Sequence, residues 1–138
     1  MLIHIGMMHP RAGLAPPVGT STYAAFLQWM VYLSANVYES VLRIYYSSRY
    51  STRGEADTDA IRDRATEHYL AQLDLIGRSL TPYVLGRDYS LADAYLYMLA
   101  GWYPGEKAAL WSRIPMLSAH SELISARTAV RKVEADHA

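Results

Sequence analysis

The sequence predicts an all-α domain in which two long antiparallel helices and a buried third helix are packed by shorter ones. Three observations carry this reading. Apolar residues recur at spacings of three and four along two long stretches. A third stretch, beginning at Ser90, is apolar nearly all round. Strand signals are weak throughout, and there is no internal repeat or low-complexity tract.

The first long helix is predicted from about Ser21 to Tyr46, with Thr20 or Ser21 as its cap. Phe26, Met30, Leu33, Val37, Val41 and Ile44 mark one stripe. Leu27, Val31, Tyr38, Leu42 and Tyr45 mark a neighbouring one, giving an unusually wide apolar face. Ser47 to Gly54 is a polar break. The second helix spans about Asp57 to Leu80, with Ile61, Ala65, Tyr69, Leu73, Ile76 and Leu80 on one face. Asp59, Arg62, Asp63, Glu67 and Arg78 form its wet side, and Pro82 ends it. The third helix starts at Ser90 and is expected to be central and buried, stopped by Pro104-Gly105. Shorter helices follow at about Glu106–Ser112, Pro115–Ser125 and Thr128–Asp136. Pro115 suits a first helical position.

Composition narrows the function. The 138 residues suggest one domain, and 51% apolar against 19% charged residues is a globular balance. Thirteen basic residues offset thirteen acidic ones, so no global field draws the chain to nucleic acid or an anionic membrane. With no cysteine, disulfides, thiolate metal sites and a cysteine nucleophile are excluded within this chain. The apolar stretch Tyr23 to Leu42 is interrupted by Gln28, Ser34, Asn36, Glu39 and Ser40, which argues against a membrane span. Met1 to Pro10 lacks the features of a signal peptide, and a cytoplasmic location is expected. His4, His9, His68, His120 and His137 form no metal-type pair and are expected at the surface or in linkers.

Tyr83 to Leu96 (YVLGRDYSLADAYL) is the most informative string. Ser90 and Asp93 have the spacing of a capping box, in which each side chain accepts from the other's amide. Tyr89, just before the cap, can act as a hydrophobic staple. The string resembles a segment of glutathione S-transferase C-terminal domains, with Tyr83, Leu85, Gly86, Tyr89, Ser90, Ala92, Asp93, Tyr95 and Leu96 in the family's positions. Gly13 to Thr20 resembles that family's interdomain linker. Gln28-Trp29-Met30, Trp102 and Ala126 to Val130 resemble other stretches of the same bacterial-type domain, with Thr128 where proline is usual.

The resemblance implies the following. Residues 1–9 are the end of a thioredoxin-like domain, nearly all of which is lacking. Residues 10–20 are an extended interdomain linker, and 21–138 are the C-terminal helical domain. The absent domain binds glutathione, the family's co-substrate, and supplies the thiol-activating residue, so no catalytic residue, cofactor or metal is assigned to this chain. The helical domain contributes a hydrophobic pocket for an electrophile, and Tyr38, Leu42, Tyr45 and Trp102 are its candidate lining. Beta-class relatives often carry histidine where Tyr38 stands and asparagine where Val31 stands, so the sequence departs from that class. The expected protein is homodimeric, binds neither nucleic acid nor membrane, and is inactive without the glutathione-binding domain. The alternative is a non-catalytic helical module for protein association or ligand binding.

Overall fold

A helix as short as residues 2–8 does not hold alone, because nucleation costs more than one turn returns. In the computed structural model, which describes residues 1–137, this segment is nevertheless helix α1 (Leu2–Met8). Ala138, the last residue of the predicted helical domain, lies outside the described residues. Packing holds α1: Leu2 and Ile3 lie against the core, and Gly6 is buried. A Cβ on Gly6 would meet the Ala15 Cβ at 2.9 Å and the Leu91 Cδ1 at 3.1 Å, so only glycine permits this approach. The following linker is not extended throughout. Pro10–Ala12 form a 3-10 turn, closed by Gly13 in the left-handed region at φ 65°.

The first long helix is a rod in three parts. Helix α2 (Ser21–Tyr32) runs through a π-helical turn at Leu33–Tyr38 into α3 (Glu39–Tyr45). The Thr20 hydroxyl accepts from the Tyr23 amide at 3.1 Å and so satisfies one of the free donors of its first turn. The stripe from Phe26 to Ile44 is buried along the whole rod. The neighbouring stripe is not: Val31 and Tyr45 are exposed, while Leu27, Tyr38 and Leu42 are half-buried.

Helix α4 (Thr58–Ser79) has 22 residues and returns alongside α3. The register fixes the direction. The Ser40 hydroxyl donates to Gln72 Oε1 at 3.0 Å, while Arg62, ten residues earlier in α4, reaches Ser47, seven residues later and just past the end of the rod, so the two run antiparallel. Ala65, Tyr69, Leu73, Ile76 and Leu80 are buried, and the predicted wet side is exposed. A Cβ on Gly77 would lie 2.4 Å from the Ile114 Cγ2, which fixes how closely the chain after α6 (Lys107–Arg113) crosses α4. Arg113 clasps Asp74 beside this crossing.

Helix α5 (Leu91–Gly101) is only partly enclosed. Leu91, Ala92, Asp93, Leu96, Leu99 and Ala100 are buried, but Met98 is exposed and Tyr95 half-buried. It is the buried central helix the sequence predicts, covered by α2, the π turn, α1 and α7 (Pro115–Ser125), while its Tyr95–Met98 side borders an open hollow. The helix also ends at Gly101, before Pro104 is reached. Helix α8 (Thr128–Asp136) closes the chain, with no fully buried residue.

The start of α5 is the polar centre of the fold. Asp93 is fully buried, and four donors converge on it. The Val84 amide donates to Oδ1 and the Ser90 amide to Oδ2, each at 2.8 Å. The Ser90 hydroxyl donates to Oδ2 at 3.0 Å and also accepts from the Ala92 amide at 3.3 Å. The fourth donor is His120 on α7, whose Nε2 lies 3.0 Å from Oδ1. Since Asp93 already accepts an amide on each oxygen, His120 Nε2 carries the proton. The Leu91 amide donates to the Leu14 carbonyl at 2.9 Å, which ties the linker to the same helix end. Tyr89 lies edge-on to Tyr83 with the Arg127 guanidinium 3.6 Å over its ring.

His120 therefore corrects the expectation that all five histidines lie at the surface. It is 1% exposed, whereas His4, His9, His68 and His137 are exposed. Its role is set by α7 periodicity, which turns it inward with Leu117 and Ile124. Truncating Asp93→Ala strands four buried donors at once. The loss of stability in urea unfolding is expected to reach about 3–5 kcal/mol, the range for breaking a buried charged pair. His120→Ala, which removes one donor and leaves the rest of the box, should cost less.

Candidate functional site

Tyr38, Leu42, Tyr45 and Trp102 meet at one place. The first three project from the rod at and beyond its π turn, and Trp102 follows the last residue of α5. Together with Val41 and Tyr46 they line a groove of about 440 Å³. The Tyr38 and Trp102 rings lie 6.0 Å apart at 45°, forming an aromatic corner. The Tyr45 hydroxyl donates to the Trp102 carbonyl at 3.0 Å, so one wall residue anchors the other. Behind the corner lies a second hollow of about 520 Å³. It is walled by α1, by Met30, Val31, Ser34 and Ala35 of the rod, and by Tyr95 and Met98 of α5. Tyr38 and Trp102 belong to both hollows.

The π turn was not legible in the sequence. A π turn places one more residue per hydrogen-bonded ring and is frequent at functional sites. Here it spans Leu33 to Tyr38, so Ser34 and Ala35 face the second hollow while Tyr38 stands between the two. Nothing in the residue types of this segment announces it.

The end of α5 that carries Trp102 is held by side chains from three other segments. Tyr69, fully buried on α4, donates its hydroxyl to the Leu99 carbonyl at 2.7 Å. Burial pushes that hydroxyl well above the usual phenol range, with Tyr45 and Tyr103 adding to the effect, so it stays a donor. Lys107 Nζ donates to the Ala100 carbonyl at 2.7 Å and to that of Gly101. Burial lowers its ammonium from the ordinary lysine range. Across α5, the Tyr97 hydroxyl donates to Glu134, and burial followed by the Glu134 carboxylate pushes it up to about 12.

These groups define what the site can do. The groove offers flat apolar walls and phenolic hydroxyls, which suit holding an apolar molecule and orienting it. Ser90, Asp93 and His120 have the residue types of a hydrolytic triad but not its geometry. The serine hydroxyl bonds the carboxylate rather than the histidine, and all three side chains are buried. They are a structural lock. Among the described residues no cluster of three or more His, Asp or Glu could hold a metal, and no helix is long and apolar enough to cross a membrane.

The fold has counterparts among known proteins. No family model matches the sequence. An uncharacterised GST-like protein of Escherichia coli (strain K12), YncG, is 28% identical over 107 residues, covering 76% of this chain and 51% of that one. A glutathione transferase homologue from Sulfitobacter, solved with bound glutathione, superposes with a TM-score of 0.83 at 24% identity over 98% of this chain and 64% of its own. A glutathione transferase from Methylococcus capsulatus gives 0.75 at 26% identity, over 95% and 62%. The chain thus spans about half the length of the curated relative and under two thirds of these structures.

The architecture is that of the C-terminal helical domain of glutathione S-transferases. In sequence the chain resembles glutathione S-transferases, as the Tyr83–Leu96 string implies, at under 30% identity to these relatives.

The Tyr45–Trp102 contact gives a direct check on the groove. Tyr45→Phe keeps the apolar wall and removes one hydrogen bond. Its cost in thermal or urea unfolding should be about 0.5–1.5 kcal/mol. An unchanged midpoint would mean the bond contributes nothing in solution.

Proposed function

We propose that this chain is the co-substrate side of a glutathione S-transferase-like protein, with the aromatic groove receiving a hydrophobic electrophile. The observation that carries the reading is the convergence of Tyr38, Leu42, Tyr45 and Trp102, from two separate elements, on one open apolar groove. The Sulfitobacter homologue solved with bound glutathione lends it context, because this chain covers only part of its length. In this reading residues 1–9 close a thioredoxin-like domain, 10–20 join the two parts, and glutathione is bound by residues outside this sequence. The protein would then act as a cytoplasmic homodimer, as the family resemblance suggests.

A division of labour follows from the residues present. Thiol activation needs a donor held against the glutathione sulfur, and in this reading the residues that bind glutathione and present that donor lie outside this sequence. The 138-residue protein should therefore give no conjugation of glutathione to 1-chloro-2,4-dinitrobenzene above a heat-killed control. It should still bind a planar apolar dye with quenching of tryptophan emission, and Trp102→Phe should remove most of that quench. Clear turnover would sink the division of labour, and a quench that survives Trp102→Phe would place the ligand elsewhere.

The competing reading is a non-catalytic module. The exposed Val31, Met98 and Trp102 beside the two hollows favour it, since contiguous apolar surface marks an interaction site. Absence of any dye binding in the groove, together with a stable higher-order assembly in light scattering, would select it.

A further inference from the structure

We infer that Lys107 is a positioning residue for the groove: its ammonium pins the end of α5 and so sets where the Trp102 wall stands. This rests on the groove being the ligand site. Lys107 does not line the groove formed by Tyr38, Leu42 and Tyr45. It acts at the carbonyls of Ala100 and Gly101, the two residues that precede Trp102, and lines with that indole a separate hollow.

Three observations support it. The last carbonyls of a helix have no partner within the helix, and they carry the negative end of its dipole. In α5 these groups are engaged one after another: Leu99 by the Tyr69 hydroxyl, Ala100 and Gly101 by Lys107, and Trp102 by the Tyr45 hydroxyl. Lys107 is the charged member of this series, and a charge-assisted bond is roughly twice as strong as a neutral one. The turn around it is tied by two backbone bonds, from the Trp102 amide to the Leu99 carbonyl at 3.1 Å and from the Tyr103 amide to the Ala100 carbonyl at 3.3 Å, which leaves the Gly101 carbonyl to Lys107. Gly101 has open space around its α-carbon, and the helix stops there without glycine at a left-handed C-cap, Trp102 itself adopting φ −90° and ψ 13°. The stem of Lys107 passes beside Trp111, with Nζ 6.0 Å from that ring, which limits where the ammonium can go.

The consequence is a split of roles along one peptide segment. Tyr45 touches the ligand and holds the Trp102 carbonyl. Lys107 holds the two carbonyls before it and touches no ligand. Loss of the ammonium frees the segment, and Trp102 loses its fixed relation to Tyr38.

The test uses the full chain labelled with 5-fluorotryptophan, so that fluorine NMR reports Trp29, Trp102 and Trp111 separately. In Lys107→Gln the Trp102 line should broaden or split in the ligand-free protein while Trp29 stays sharp. Trp111 moves as a direct neighbour and decides nothing. Affinity for the planar dye should fall about five- to tenfold, the effect of a largely lost hydrogen bond, and Lys107→Arg should restore both readouts. A purely structural role would instead lower the melting temperature and broaden all three lines together. An unchanged Trp102 line with dye affinity within twofold of the parent would overturn the inference. If the parent binds no dye, the groove reading fails, and the Trp102 line still decides whether Lys107 positions the indole. Should Lys107→Gln not fold, the same readouts on Lys107→Met, and on the parent against Lys107→Arg, settle the point.

Discussion

The buried carboxylate of Asp93 is the constraint on which the rest of the structure depends. A charge without water is costly, and it persists only where donors replace the hydration it has lost. Asp93 finds them on three segments: the Val84 amide in the preceding loop, Ser90 at the cap, and His120 on α7. The linker joins the same point through the Leu14 carbonyl, which receives the Leu91 amide. No partial arrangement serves, because each absent donor leaves the charge less well solvated than in the unfolded chain. The network therefore penalises wrong packings of α5 as much as it supports the right one, and it fixes the start of the helix that leads to the groove.

The two ends of α5 are treated in opposite ways, as the helix dipole requires. At the positive end the Asp93 carboxylate sits in the first turn, while the free Leu91 and Ala92 amides donate to the Leu14 carbonyl and the Ser90 hydroxyl. At the negative end hydroxyls and an ammonium donate to the free carbonyls. The Asp93 end is buried, so water cannot substitute for its partners there, whereas Gly101 and Trp102 at the other end are exposed. Between them Leu96 and Leu99 fill the core, and burial of such side chains contributes about 1.5–3 kcal/mol each. Helix α5 is thus a rigid spacer whose position is set at one end by Asp93 and whose other end presents Trp102.

What could be read from the residues was what has a period or a local signature. The stripe from Phe26 to Ile44, the face of α4 from Ala65 to Leu80 and the start of α7 at Pro115 follow from spacing and backbone chemistry, and they stand where expected. The Ser90–Asp93 pairing has a short-range signature of its own. His120 has none, because its meaning comes from a carboxylate twenty-seven positions away. The openness of α5 beside Met98 was equally hidden. An apolar residue reads the same whether another helix covers it or a hollow does. The residues proposed for the groove came from a family resemblance. Their meeting in space depends on the π turn and on where α5 stops, and neither is encoded in a periodic pattern.

That dependence has a consequence for how the groove works. Tyr45 is at once wall and anchor, and Trp102 is at once wall and the terminus of the helix that Asp93 positions. Residues that share a network couple, so their effects do not add. Under the proposed function, a ligand pressing on the Tyr38–Trp102 corner would push against the bonds that hold the end of α5. The groove is therefore preorganised by the same contacts that keep the fold together. In the proposed reading its selectivity would rest on the rigidity of one peptide segment, which favours flat apolar molecules over any particular substituent.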